Sequence, residues 1–243
     1  MSLSLQEEVT VVASRRLAAA VTVLAGIGAL FAGELQAEPT VAVGGGSGII
    51  LNDEAVCSVT TIGYDNVGRL VGLTAGHCTA AGALVRAEHQ PDAGVIGRVV
   101  SSDLGQGLDF AVIEFDSDMV IPLRSVGATT IAGTAPAPGF GAVVCSSGRT
   151  SGADCGIVWG NLDTNTVNQS CSLPGDSGGP VTVGDRLVGM NQGRFISIAG
   201  IRFNVPCTNP ADPIHSPAYF TSIDLILGEV NGSGGVGAGF QPV

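Results

Sequence analysis

The sequence predicts an all-β protein built of many short strands, on three observations. Gly supplies 37 of the 243 residues and Pro 12, only 13% of the chain is charged, and short apolar stretches recur between turn-forming clusters. A charged share near half the roughly 25% of an average soluble domain, beside 45% hydrophobic residues, excludes a disordered chain and is foreign to helical bundles and coiled coils. All 10 basic residues are Arg, and 21 Asp plus Glu leave a formal charge of -11. Nucleic acid is excluded as a partner, because its phosphates call for clustered cations.

The organisation follows in chain order. Arg15 and Arg16 precede an apolar run from Leu17 to Ala32, and Leu35-Gln36-Ala37 is a small-residue site where a signal peptidase can cut. The run is shorter than the roughly 20 residues that cross a bilayer, so residues 1–37 are expected to be a signal peptide rather than an uncleaved N-terminal anchor. No other membrane partner is expected, and the destination is extracytoplasmic, secreted or in the cell envelope. Residues 38–43 form a short leader. Residues 44–121 hold a first set of strands, of which Leu70–Thr74 and Phe110–Phe115 are the clearest. A connector rich in Gly, Ala, Thr and Pro spans 122–138. Residues 139–231 hold the second set, at Gly141–Cys145, Gly156–Trp159, Pro180–Val183 and Arg186–Met190, and then a short amphipathic helix through Ile223, Leu225, Ile226 and Val230 capped by Thr221 or Ser222. Residues 232–243 read as a flexible Gly-rich tail.

In an exported chain six cysteines are read as disulfides before metal ligands, and none has zinc-type spacing on both sides. Neighbourhood suggests Cys57 with Cys78, Cys145 with Cys155 and Cys171 with Cys207, although 15 connectivities are open to six cysteines.

Three segments carry chemistry. A serine hydroxyl needs a base to take its proton, a group to orient that base, and donors for the developing oxyanion. Gly175-Asp176-Ser177-Gly178-Gly179-Pro180 sets Ser177 in a Gly-rich turn where the amides of Gly175 and Ser177 are able to face one spot. Thr74-Ala75-Gly76-His77-Cys78 places His77 just after a buried strand and beside a cysteine that can pin it, and Leu108-Asp109-Phe110-Ala111-Val112-Ile113 sets Asp109 at the mouth of an apolar strand. Taken singly, each has a plainer reading: a tight turn, a structural histidine, an exposed strand-end carboxylate. In the order His, Asp, Ser across two β halves they resemble the chymotrypsin-like serine proteases, and most closely the secreted bacterial branch of streptogrisins and alpha-lytic protease.

Four motifs carry the resemblance over about Gly44 to Asn231: Leu73–Cys78, Leu108–Val112, Ala142 through Cys155-Gly156, and Cys171–Pro180. It implies two antiparallel β-barrels, 44–121 and 139–231, with the active site in the cleft between them, and disulfides 57–78, 145–155 and 171–207. It also implies a serine endopeptidase acting on protein or peptide substrates through an acyl-enzyme, with Ser177 as nucleophile, His77 as proton carrier, Asp109 orienting it, and the Gly175 and Ser177 amides as the oxyanion hole. No cofactor and no metal are implied, and a monomer is the default. A latent or inactive binding protein of the same fold, and an esterase on the same scaffold, are the rival readings.

The chain departs from the family at several points. Relatives place an Arg directly after the cysteine of the third motif, where it pairs with the buried Asp before the nucleophile; here that position is Ser146. Arg149, or a new N-terminal amine near Gly44, is expected to pair with Asp176 instead. Only residues 38–43 lie between the expected signal and the domain, so no long folding-assisting pro-region is expected. The specificity pocket maps to Ser172, Leu173 and Pro174 before the nucleophile and to Gln192, Gly193 and Arg194 on a later strand. Where relatives have Ser-Gly-Gly, Gln192 offers an amide to Asp109, and Arg194 either narrows the pocket, presents a cation to substrate, or is a solvated surface side chain. His89 and His215 lack a matching second ligand and are expected at the surface. Asn52-Asp53-Glu54 and Asp116-Ser117-Asp118 read as solvated turns rather than Ca²⁺ loops. The sequons at Asn168 and Asn231 carry little weight if the host is bacterial.

Overall fold

The computed structural model describes residues 40–195, 197–198, 201–202, 204–209 and 214–243. The expected signal peptide and residues 38–39 lie outside the described residues. The first half supplies β1 (Val41–Gly44), β2 (Gly48–Leu51), β3 (Ala55–Ser58), β4 (Thr61–Tyr64), β5 (Leu70–Thr74), β6 (Leu84–Ala87), β7 (Gly97–Ser102), β8 (Ala111–Phe115) and β9 (Val120–Leu123). Three two-residue strands, β10 (Ser125–Val126), β11 (Thr129–Thr130) and β12 (Gly133–Thr134), occupy the connector. The second half supplies β13 (Val143–Gly148), β14 (Gly152–Leu162), β15 (Asn165–Asn168), β16 (Pro180–Val183), β17 (Arg186–Arg194), β18 (Ser197–Ile198), β19 (Ile201–Arg202) and β20 (Ala218–Ser222). Helix α1 (Ile223–Ser233) and β21 (Gln241–Pro242) end the chain.

The strands form two main sheets. In the second, the order β12-β17-β16-β13-β14-β15-β20 is closed by a β17–β20 pairing into a six-stranded barrel. The first runs β21-β4-β5-β8-β7-β6-β2-β3 and curls without its edges meeting, so of the two expected barrels only one is closed by hydrogen bonds among the described residues. Antiparallel hairpins of short strands build both, as the turn-rich composition implies. Burial explains why β5 is a continuous apolar run rather than an alternating one: every residue of Leu70–Thr74 is buried, between β4 and β8. The first core gathers Ile49, Leu51, Ile62, Leu73, Ile96 and Ile113, all at most 2% exposed. Val144, Val158, Val181, Val188 and Phe220 fill the second barrel.

Both ends of the domain differ from expectation. Val41 and Val43 are buried and pair in parallel with β9, so the fold takes in residues assigned to a leader. The Gly-rich tail is folded too. Gly234 at φ +62° stops α1, Phe240 is buried, and Gln241 and Pro242 pair with Tyr64 and Gly63. Asp65 holds this segment by accepting from the Gly237 amide at 3.2 Å and from Arg69 Nε at 2.6 Å. Burial pushes the Asp65 carboxyl up, but the hydrogen bonds from Arg69, Gly237 and Val67 outweigh it and bring it down to about 2. Helix α1 starts after Ser222, whose hydroxyl makes no capping bond, and it buries Ile223, Ile226 and Val230 while Leu225 stays exposed.

The disulfides are 57–78, 145–155 and 171–207, the pairing that neighbourhood and resemblance suggest. Each constrains the unfolded chain and so favours the folded one.

Candidate active site

Strand register brings the first two site residues together. Thr74 lies opposite Ala111 where β5 pairs with β8, so the chain leaving β5 and the chain entering β8 meet at one end of the sheet. His77 follows Thr74 in a single 3₁₀ turn, Gly76–Cys78, tied to β3 by the Cys57–Cys78 disulfide. Asp109 precedes Ala111. Its Oδ1 accepts the His77 backbone N–H at 2.7 Å, and its Oδ2 lies 2.7 Å from His77 Nδ1. Both oxygens of one carboxylate thus grip one residue and orient the imidazole. The His77 side chain is 40% exposed and that of Asp109 18%, and the ring turns its other side away from the carboxylate.

That other side faces Ser177, with His77 Nε2 2.9 Å from Ser177 Oγ. The turn carrying Ser177 is fixed through its carbonyls. Ser58 N–H donates to Ser177 O at 2.8 Å and Thr60 Oγ1 to Gly178 O at 2.5 Å, both from the first half of the chain. Gly178, at φ +83°, admits no side chain, because a Cβ there would lie 2.4 Å from both Ser58 O and Thr74 Oγ1. Gly175 at φ +98° precedes it. The Pro174 carbonyl accepts from Thr150 Oγ1 at 2.8 Å, and the Asp176 carbonyl accepts from Gly179 N at 2.9 Å and Asn191 Nδ2 at 3.0 Å. In a planar trans peptide the N–H points opposite to the C=O, so these bonds also set the Gly175 and Ser177 amides. Neither amide donates to an acceptor among the described residues.

Asp176, 2% exposed, is satisfied in a way the sequence reading did not foresee. Its Oδ1 accepts from the amides of Thr150 at 2.8 Å and Ser151 at 3.0 Å, and its Oδ2 from that of Leu173 at 2.8 Å. Three backbone N–H groups stabilise a buried carboxylate without a cation. Arg149 is therefore not its ion-pair partner. It reaches across to the first half and pairs with Glu88, Nε to Oε2 at 2.5 Å and Nη2 to Oε1, while Nη1 donates to Thr150 Oγ1 at 2.9 Å. The hydrogen bond with Glu88 is the main reason its pKa is raised, and the charges of Glu88 and Asp176 add to it. Gly44, the other candidate, lies within β1, its N–H bonded to Ser47 Oγ.

Ser172, Leu173, Pro174, Gly193 and Arg194 line a small pocket of about 150 Å³ together with Ser177. Gln192 does not line it. A register shift in β17 between Asn191 and Gly193 turns its 3% exposed side chain the other way, where Nε2 donates to the main-chain O of Asp109 at 2.9 Å and to Thr221 Oγ1 at 3.2 Å. The expected Gln192–Asp109 contact thus exists, but to backbone rather than carboxylate. A larger cavity of about 790 Å³, lined by Asp103, Leu108, Phe110, Glu229 and Val236 among others, contains none of His77, Asp109 or Ser177.

Asp103 was missed by sequence reasoning. Its Oδ2 accepts the Asp109 N–H at 2.7 Å and its Oδ1 the Phe110 N–H at 3.1 Å, which braces Asp109 at φ +59°. The one signal for it was an Asp opening the tight Leu104–Gly107 turn. His215 is buried, not at the surface, with Nδ1 2.9 Å from Ser216 O. No group of His, Cys, Asp and Glu among the described residues is placed to hold a metal ion.

No protein-family profile matches the chain. Serine protease 1 of Rarobacter faecitabidus is 33% identical over 175 residues, 66% of this chain; the chain spans about a third of that relative's length, the match covering 33% of it. Among solved structures, Thermobifida fusca protease A superposes with a TM-score of 0.63 at 25% identity, over 84% of this chain and 99% of that one. Nocardiopsis protease gives a TM-score of 0.63 at 24% identity, over 79% and 97%. Cellulomonas bogoriensis chymotrypsin gives 0.60 at 24%, over 84% and 99%.

Proposed function

We propose that the chain, which is similar in sequence and fold to bacterial chymotrypsin-like serine proteases, is a secreted serine endopeptidase that cleaves protein or peptide substrates through an acyl-enzyme on Ser177. The observation that carries this reading is the single imidazole that bridges Asp109 Oδ2 at 2.7 Å and Ser177 Oγ at 2.9 Å. In the proposed reaction His77 Nε2 takes the hydroxyl proton as Ser177 Oγ bonds to the scissile carbonyl carbon. Asp109, accepting from Nδ1–H, holds the tautomer whose Nε2 lone pair faces Ser177 and stabilises the imidazolium. The proton passes to the leaving amine as the C–N bond breaks, and water, activated in turn by His77, releases the acyl group. The free Gly175 and Ser177 amides are assigned to the oxyanion. Residues 1–37 are assigned to an export signal, consistent with three disulfides in an oxidising compartment. A monomer is assigned.

Turnover of matched peptide-amide and ester substrates tests the assignment. Hydrolysis of both, lost in Ser177→Ala, is expected. Ester turnover alone would reassign the chain as an esterase, and neither as a binding protein.

Thr150 is a positioning residue in this scheme, since its hydroxyl anchors the Pro174 carbonyl and thereby aims the Gly175 N–H. Removal of an oxyanion donor costs about 10²–10³-fold in turnover, so Thr150→Val, which loosens rather than deletes one, is expected to lower kcat by up to about 10²-fold with KM changed far less. Thr150→Ser is expected to restore most of it. Equal losses in kcat for Val and Ser would contradict the role.

A further inference from the structure

Arg69, Arg86, Arg149 and Arg186 each pair with a carboxylate, and Arg98 and Arg124 donate to backbone carbonyls. Arg194 does neither. Its hydrogen bond among the described residues runs from Nη2 to Asn204 Oδ1 at a long 3.4 Å, and its Nη1 is buried with no acceptor. Arg194 lines the same pocket of about 150 Å³ as Ser177, and the remaining lining, Ser172, Leu173, Pro174 and Gly193, brings no charge.

A buried, charged donor without an acceptor is costly, and a bound group that brings an acceptor removes that cost. The two carboxylates of the serine and histidine segments are already engaged, Asp109 by His77 and Asp176 by three backbone amides, so neither is available to neutralise Arg194. A cationic side chain would meet a like charge there, and an apolar one would leave the guanidinium without an acceptor. A carboxylate fits both conditions, because the planar guanidinium fork accepts it with paired N–H donors.

We propose that this pocket binds the side chain of the residue preceding the scissile bond and selects Glu or Asp there through Arg194. The proposal rests on the reading of Ser177 as nucleophile, and its test is arranged to separate the two.

Binding is measured first on the full chain carrying Ser177→Ala, which needs no turnover, with tetrapeptides that differ only in a C-terminal Glu, Gln, Phe or Arg. The Glu peptide is expected to bind about tenfold or more tighter than the Gln peptide, the size of one charge-assisted contact. Arg194→Gln in the same background is expected to bring that ratio close to one, and Arg194→Glu to favour the Arg peptide. Lowering the pH below about 4.3, where the side chain of a peptide Glu protonates, is expected to bring the Glu and Gln peptides to similar affinity. In the enzyme with Ser177, kcat/KM is expected to show the same order. Tighter binding of Phe or Arg peptides than of Glu, or a Glu-to-Gln ratio unchanged by Arg194→Gln, would overturn the proposal. Binding selectivity without turnover would uphold it and instead overturn the reading of Ser177.

Discussion

Asp109→Asn is expected to lower kcat about 10⁴-fold while the protein stays folded. The carboxylate accepts two hydrogen bonds from one residue, His77 N–H at Oδ1 and His77 Nδ1 at Oδ2. An amide cannot accept at both atoms. If its oxygen keeps the backbone N–H, its NH₂ faces Nδ1, which must then be the acceptor, and the ring proton moves to Nε2. There it points at Ser177 Oγ, so the imidazole no longer takes the hydroxyl proton. If the amide turns over, its NH₂ opposes the His77 N–H and two donors collide. The backbone is no obstacle, because Asn tolerates the left-handed φ of +59° about as well as Asp does. Single-turnover kinetics beside a thermal melt would check this: a near-normal melt with a loss under tenfold would show that Asp109 does not set the tautomer.

Ser177→Ala is expected to cost about 10⁶-fold in turnover, the scale seen when a serine nucleophile is removed. The change deletes one oxygen. The carbonyls that fix the turn, Ser177 O to Ser58 N–H and Gly178 O to Thr60 Oγ1, involve no part of the serine side chain, so the turn is expected to persist. Binding of product peptides is therefore retained as acylation is lost. A loss of only tenfold, with the protein verified pure, would mean that another group attacks.

The fold class was legible in the turn-rich composition and short apolar strands, whereas the grouping of His77, Asp109 and Ser177 was expected through the resemblance of their motifs to the serine proteases. Each residue sits a few positions from a strongly apolar strand, and the register of Thr74 against Ala111 carries two of them together. Cys78, adjacent to His77, and Cys171, six residues before Ser177, marked the same segments. What surrounds Asp176 was not legible. A carboxylate bound by the Thr150, Ser151 and Leu173 amides leaves no side-chain signature, and the partner that Arg149 does choose, Glu88, belongs to the other half of the chain. The final segment misled in the opposite direction. Residues 232–243, rich in Gly, read as flexible, yet bare amides such as that of Gly237 are the donors that the buried Asp65 needs, and Phe240 anchors the segment in the core. Gln192 belongs with these, because a register shift beside it decides which way the side chain faces.

The most direct test of the central claim, that His77, Asp109 and the Gly175–Ser177 turn assemble an activated serine, is covalent labelling by a fluorophosphonate probe. Such a probe reacts with a serine only when its base and its oxyanion donors are in place. Labelling of the full chain, mapped by mass spectrometry to the peptide containing Ser177 and absent from Ser177→Ala, is the predicted result. A folded protein with all three disulfides formed that takes up no label at Ser177 would contradict the account.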